Sequence, residues 1–379
     1  MTKIHPLLDE KKQLLARRYE KEKRLLGLAG TALSLFLLLA FYYSGLSWRL
    51  AHSFSGGGII PAFLAYVGAL LAWISVLSLP LSYYAGHIHE HKWNFSTQTT
   101  KDWLLDQAKS FGVSFVLGSL LLALLLWIMA RFPTSWWLIA GLGSAIVSVI
   151  LATLVPVVIL PIFHRYTPIR DEELTGSLQK ILAREGLKGS GFYKEDMSRK
   201  TRKENAFLAG LGKTRRVVLG DTLVDNMTHP EIASIIAHEV GHYKRRHMWK
   251  GITLGTAQQV VVFYLLHLIM KATFPEFLLS TRSTLFLLPL LIILAGAVSG
   301  FLFGPLGNAL SRRMEKEADI YAITHIGQKR PFLTALAGLA DRNLANAYPA
   351  RWVKVLYYSH PPIGERLTML ERFAGGGSP

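Results

Sequence analysis

Six stretches of the chain run almost without charge for the length of a bilayer crossing. They are roughly Leu26–Leu46, Ile60–Tyr83, Phe111–Ala130, Trp136–Ile162, Ile252–Met270 and Leu285–Phe303. A hydrocarbon core takes about 20 mostly apolar helical residues, so each is predicted to be a membrane helix. A long charged segment, acids included, precedes the first, and no clear small-residue cleavage site follows it, so it reads as a retained anchor. Between the spans the charge piles up. Lys11 to Arg24 is strongly basic, which assigns it to the cytoplasmic side. Alternating crossings then leave Ser47–Gly58, Arg131–Ser135 and Lys271–Arg282 outside, with few positive charges. Gly86–Ser110, His164–Lys250 and the tail after Gly304 fall inside and hold nearly all the Lys and Arg.

The inside segments carry the soluble structure. Leu174, Leu178, Ile181 and Leu182 give Asp171–Gly186 a helical period. Gly191–Tyr193, Ala206–Gly210 and Arg216–Leu219 are short strand-like runs, predicting a small sheet of three or so strands. The closing Gly-Gly-Gly-Ser-Pro is expected to be disordered.

Composition sharpens this picture in two respects. The net charge of +17 fits either nucleic acid or an anionic membrane surface. The spans favour the membrane, and no nucleic-acid motif competes, so no nucleic-acid partner is expected. With no cysteine, any metal site must use His, Asp and Glu.

The central chemical signal is His238-Glu239-Val240-Gly241-His242. Thr228 and Glu231 form a capping box ahead of it, Pro230 is tolerated in the first turn, and Ile232, Ile235 and Ile236 continue a helical pattern. One turn apart, His238 and His242 project from the same face and can take adjacent corners of a tetrahedral zinc. Glu239 lies about 100° around, placed for a general base rather than a ligand. The bland alternative is a solvated helix with incidental histidines. A third ligand is sought in Ser311–Asp319, which returns to the same membrane face. Glu315 and Asp319 share a helical face: Glu315 can ligate the metal, while Asp319 accepts from a ligand imidazole. Glu317 points away. Read as a mere charged helix end, the stretch accounts for Arg312 and Arg313 but not for the two acids.

Several blocks resemble the type I CAAX prenyl proteases, a-factor-converting integral-membrane zinc metalloendopeptidases, and more distantly the heat-shock-induced bacterial membrane metalloproteases. They are Leu81–Tyr84 with Glu90-His91 and Phe95 to Leu105, Asn205–Phe207, Arg216–Leu223, and His238–His242. Pro305–Asn308 with Ser311-Arg312, Glu315 and Ala318-Asp319 follows, and then Tyr358–Pro362 with Glu365–Leu367. The similarity runs from about residue 60 to residue 370. It implies one Zn2+ held by His238, His242 and Glu315, Glu239 as general base, and His360 near the metal to steady the tetrahedral intermediate. It also implies that Asn205 and Ala206 line an edge strand holding the substrate backbone. Two departures stand out. The span that eukaryotic members carry before the one starting near Leu26 has no counterpart, and their histidine–serine element is replaced by Lys203-Glu204, which leaves the substrate open.

The expected architecture is mostly α and polytopic, with a zincin-like α+β catalytic domain. Residues 1–25 would be a basic segment, 26–162 four membrane helices, and 163–250 the catalytic domain with the zinc helix. Residues 251–304 would be two membrane helices, and 305–379 the third-ligand helix with the rest of the catalytic domain. The expected function is zinc-dependent hydrolysis of peptide bonds in membrane-associated proteins, of the CAAX-processing type by resemblance. The active site would face the cytoplasm, in a multi-pass protein of the bacterial inner membrane. Substrates would be prenylated C-terminal tails or, in a quality-control alternative, misfolded membrane proteins. A zinc-containing transporter or scaffold is the rival of another class. A transporter predicts paired charges inside the spans, which hold almost none.

Three further features invite comment. His87, His89 and His91 are expected to form an interfacial polar segment rather than a metal site. Gly296, Gly300 and Gly304 have the spacing of close helix packing. Gln258, Gln259 and His267 would line a cavity or bond another helix.

Overall fold

The computed structural model describes residues 4–53, 59–187, 191–210, 215–273, 281–326 and 329–373. Helix α1 (Glu10–Tyr43) starts where Asp9 accepts from the Lys12 N–H at 3.0 Å, and its charged first half continues directly into an apolar second half. After α2 (Leu46–Ser53), α3 (Ile59–Tyr83) passes through a π-turn at Tyr84–Ile88 into α4 (His89–Lys92). Thr99 caps α5 (Thr100–Arg131), accepting from Asp102 N. Next, α6 (Trp136–Leu154) passes through a second π-turn, Val155–Ile159, into α7 (Leu160–Phe163). Pro156 in that turn has no N–H to give to a regular helical ladder.

The soluble part then begins with β1 (Tyr166–Pro168) and α8 (Glu172–Arg184). The strands β2 (Gly191–Glu195), β3 (Ala206–Ala209) and β4 (Arg216–Gly220) follow, then α9 (Asp221–Asn226) and α10 (His229–Lys244). The chain crosses back through α11 (His247–Thr273) and α12 (Thr281–Ile326), and ends in α13 (Lys329–Arg342), α14 (Arg351–Tyr357) and α15 (Ile363–Arg372). Among the described residues six helices are long and apolar enough to cross a membrane, as the charge-free runs predict. Mostly α with a small sheet, the architecture is the expected one.

The sheet has four strands in the order β1-β2-β4-β3. The extra strand, β1, is three residues long and pairs antiparallel with β2, too short for a sequence pattern. β2 and β4 run parallel, β3 and β4 antiparallel, so β3 is an edge. Leu174, Leu178 and Leu182 of α8 pack with Val217, Leu219, Ile232 and Ile236 in one core. The segments predicted to share one membrane side gather at one end of the helix bundle. Ser96 bridges Thr201, Thr97 N donates to Lys200 O at 3.1 Å, and Asp9 N donates to Asp341 at 2.8 Å.

The glycine prediction fails. A Cβ at Gly296, Gly300 or Gly304 would meet nothing within 4 Å, so among the described residues no helix packs against them. Spacing alone does not say which face meets a neighbour. The close approach is instead Gly141 of α6, where a Cβ would lie 2.6 Å from Val260 Cγ2 of α11. The polar residues of the fifth span divide both ways. Gln258 bonds Ser299 at 2.8 Å, His267 receives the Trp136 indole N–H at 3.1 Å, and Gln259 lines an apolar cavity of about 460 Å³. Residues 375–379, expected to be disordered, lie outside the described residues, as do parts of Ser47–Gly58 and Lys271–Arg282.

Candidate active site

The capping box forms as predicted, with Thr228 N donating to Glu231 Oε2 at 2.9 Å. Ile232, Ile236 and Val240 anchor one side of α10 in the core. His238 and His242 are thereby turned toward α12. There Gly241 lets the two helices close: a Cβ on it would lie 3.1 Å from Ala318 Cα.

This approach brings Glu315 onto both imidazoles. His238 Nε2 and His242 Nε2 are 3.2 Å apart, and each lies 3.3 Å from one oxygen of Glu315. Ligand bonds of about 2.0–2.1 Å give a zinc tetrahedron edges of about 3.3 Å, so the three groups already have the spacing of three corners. Burial opposes charge on Glu315, but hydrogen bonds to His238, His242 and His360 outweigh it and hold its carboxyl well below the usual range, which leaves an ionised oxygen ligand facing the two imidazoles. The residues fit a divalent ion. His238, His242 and Glu315 form the one such group found among the described residues.

Behind them lies a set of supporting contacts. His238 Nδ1 is 2.9 Å from Oδ1 of fully buried Asp319, as the helical spacing of Glu315 and Asp319 suggests. Arg366, also buried, donates to both Asp319 oxygens. Burial opposes charge on the His238 ring, but hydrogen bonds to the Asp319 and Glu315 carboxylates outweigh it and raise the pKa to about 9. On the other ring, His242 Nδ1 is 2.9 Å from His247 Nδ1, and His247 Nε2 is 3.2 Å from Glu317 Oε2. Glu317 does turn away from the three-cornered group, and it holds this relay instead. Sequence spacing did not reveal the relay, because His247 folds back only through the left-handed Arg246 (φ 55°) between α10 and α11. Arg366 was visible only as part of a block, without a role.

Glu239 lines two cavities. One of about 510 Å³ holds Asn205, Ala206, His238, Glu315 and His360; the other, about 990 Å³, lies between Phe207–Gly210, Trp249 and the second π-turn. The outer edge of β3 therefore runs past Glu239 from one cavity to the other. Asn205 is fixed where its carbonyl accepts from Gly220 N at 2.9 Å. His360 Nδ1 sits 2.9 Å from Glu315 Oε2 with its side chain 62% exposed. Arg312 of α12 secures the strap before it by donating to Lys354 O at 3.0 Å and Tyr358 O at 2.6 Å.

The departing pair ahead of Asn205 has structural partners. Lys203 Nζ reaches Glu90 and Tyr19, both at 2.6 Å, and lies over the Phe95 ring. Burial lowers its pKa despite that ion pair. Glu204 pairs with Arg342, and its backbone N–H donates to Asn343 Oδ1 at 2.9 Å. His87 and His91 meet in a tilted ring contact at 4.3 Å on one side of their segment and His89 reaches Glu22 at 3.2 Å on another, so the three converge on no common point.

Comparison with known proteins agrees with this geometry. A family model described as CAAX prenyl protease N-terminal, five membrane helices, matches residues 2–165, and one described as peptidase family M48 matches residues 168–374. Within the first match the described residues contain four helices of spanning length. The uncharacterized metalloprotease YhfN of Bacillus subtilis is 31% identical, over 94% of this chain and 85% of its own. CAAX prenyl protease 1 of Saccharomyces cerevisiae is 29% identical, over 98% of this chain and 89% of its own. The crystal structure of S. mikatae Ste24p superposes with a TM-score of 0.83 at 28% identity, covering 97% of this chain and 92% of that one. Its fold, its convergent His-His-Glu group and its matched length thus place the chain in peptidase family M48, as a membrane-embedded metalloprotease.

Proposed function

We propose that the protein is a zinc endopeptidase of the HExxH…E type, with His238, His242 and Glu315 as ligands. The observation that carries this reading is the convergence of two Nε2 atoms and one carboxylate at 3.2–3.3 Å. Bound there, zinc supplies Lewis acidity, which makes water nucleophilic near neutral pH and polarises the scissile carbonyl. Glu239 takes the proton of the attacking water and delivers it to the departing amine. An extended substrate adds to the free edge of β3 at Asn205 and Ala206, its scissile bond beside Glu239 and its two sides in the two cavities. This through-running groove is what suits an endopeptidase. His360, the exposed donor at the mouth, faces the developing oxyanion. Asp319 fixes the His238 tautomer.

The basic segments on the catalytic side support a site on the cytoplasmic face of the membrane. The relatives named CAAX prenyl protease make prenylated C-terminal tails the first substrate class to test. Lys203-Glu204 beside the substrate strand favours keeping the second class, unprenylated membrane proteins.

The test is cleavage by purified protein of a farnesylated CAAX peptide and of an unmodified membrane-anchored peptide, with zinc, with chelator, and with Glu239→Gln. Zinc-retaining Glu239→Gln is expected to lose about 10²–10⁴-fold in rate. Full activity in that variant would refute the mechanism, and zinc binding without any cleavage by wild type would favour the scaffold. Equal cleavage of both peptides would select membrane-protein quality control.

A further inference from the structure

Helix α14 has a composition unusual for a short soluble helix. Of its seven residues only Val353 is buried, while Trp352, Val355 and Leu356, which share a face, are 55%, 39% and 43% exposed; Tyr357 lines the cavity of His238 and His360 instead. A contiguous exposed apolar surface marks an interaction site. Two independent markers give its depth. Arg24 is the last charged residue of α1 before the charge-free run from Leu25 to Tyr43, and its guanidinium lies over the Trp352 ring at 5.3 Å. Arg312 is the first charged residue of α12 after the apolar run of its span, and it holds the Lys354 and Tyr358 carbonyls. Asn308, one turn nearer the span, donates to Leu356 O at 2.9 Å. In both helices α14 sits where hydrocarbon gives way to charge.

We infer that α14 is an interfacial segment seated in the headgroup layer of the leaflet on the catalytic side, where it binds anionic phospholipid. Trp favours that layer because an apolar ring and a polar edge are both satisfied there. Arg24, Arg351 and exposed Arg313 supply positive charge beside it, which attracts an anionic surface. The seat bears on the reaction because α14 runs directly into the strap Tyr358-Ser359-His360. With the lipid holding one end and Arg312 the other, the height of His360 above the bilayer is set by the membrane itself.

The experiment uses the full chain in lipid nanodiscs and needs no catalysis. Subtracting the emission of Trp352→Phe from that of wild type isolates Trp352. Brominated lipids with bromines near the glycerol backbone are expected to quench that difference signal, with aqueous iodide leaving it largely unchanged. Iodide quenching without bromolipid quenching would overturn the interfacial seat. At equal bromine content, brominated phosphatidylglycerol should quench about twofold more than phosphatidylcholine; equal quenching would overturn the anionic preference. The link to His360 is read separately with Leu356→Glu. It should cleave a soluble peptide in detergent at the wild-type rate but lose activity in anionic discs, and unchanged activity in discs would overturn that link. Because the quenching arms are independent of hydrolysis, failure of the peptidase reading and failure of this one are told apart.

Discussion

Gly241 on α10 faces Ala318 on α12 so closely that a methyl on Gly241 would sit 3.1 Å from the Ala318 Cα and 3.2 Å from its carbonyl oxygen. The obstacle is backbone, which cannot rotate away as a side chain end can. The same two helices carry the three proposed ligands, so this one contact sets the distance that Glu315 must bridge.

Gly241→Ala is therefore expected to force α10 and α12 apart by a few tenths of an ångström. Overpacking of this kind costs about 1–3 kcal/mol, and a zinc tetrahedron tolerates little lengthening. Reduced zinc affinity by competition with a chromogenic chelator, together with a lower melting temperature, is the expected pair of results. Unchanged zinc affinity would mean that the helix spacing does not govern the site.

The relay behind His242 leads to a second prediction. His247 presents Nδ1 to His242 Nδ1 at 2.9 Å and is itself held by Glu317. Partners of a ligating imidazole typically contribute about 10–100-fold in metal affinity. His247→Ala should weaken zinc binding by that order, and Glu317→Gln by less, since an amide still bonds the ring. Titration against a zinc buffer reads both. If His247→Ala binds zinc as wild type does, the relay does not orient the ligand.

These contacts also mark where the sequence stopped being legible. The spans and the α10 histidines lie within single helices, so period and charge expose them. Glu315 is separated from His242 by two membrane helices, and spacing could only nominate it; the family resemblance selected it. The relay depends on one left-handed residue, Arg246, and nothing in a basic loop foretells that turn. Gly296, Gly300 and Gly304 misled for the opposite reason, since a spacing motif says nothing about which face meets a neighbour. The role of Arg366 depended on Asp319 being fully buried, and burial is a property of the assembled fold.

That burial allows stability and metal binding to be separated. Asp319→Asn leaves the Arg366 guanidinium buried without the carboxylate charge it pairs with, and breaking such a pair costs about 3–5 kcal/mol. The double change Asp319→Leu with Arg366→Met replaces both charges with apolar volume and should recover much of that loss. It should not recover zinc affinity, because His238 Nδ1 still lacks its acceptor. Thermal denaturation and zinc competition on the same two variants check this. Parallel recovery of both quantities would show that Asp319 acts only through the fold.

Proton competition at His238 gives a pH dependence with a definite sign. In the metal-free protein its pKa is raised from 6.5 to about 9, so at neutral pH zinc must displace a proton from it. The protonated ring stabilises the metal-free fold; that contribution is fully present below pH 6.5 and is lost as pH rises through about 9. The metal-free form thus weakens over the same interval in which proton competition with zinc diminishes. Apparent zinc affinity should rise about tenfold from about pH 7 to about pH 8, and the drop in melting temperature caused by a chelator should grow over the same range. Asp319→Leu with Arg366→Met removes the main acceptor that raises this pKa and should flatten both trends. A zinc affinity independent of pH across that interval would mean that His238 carries no proton in the metal-free protein.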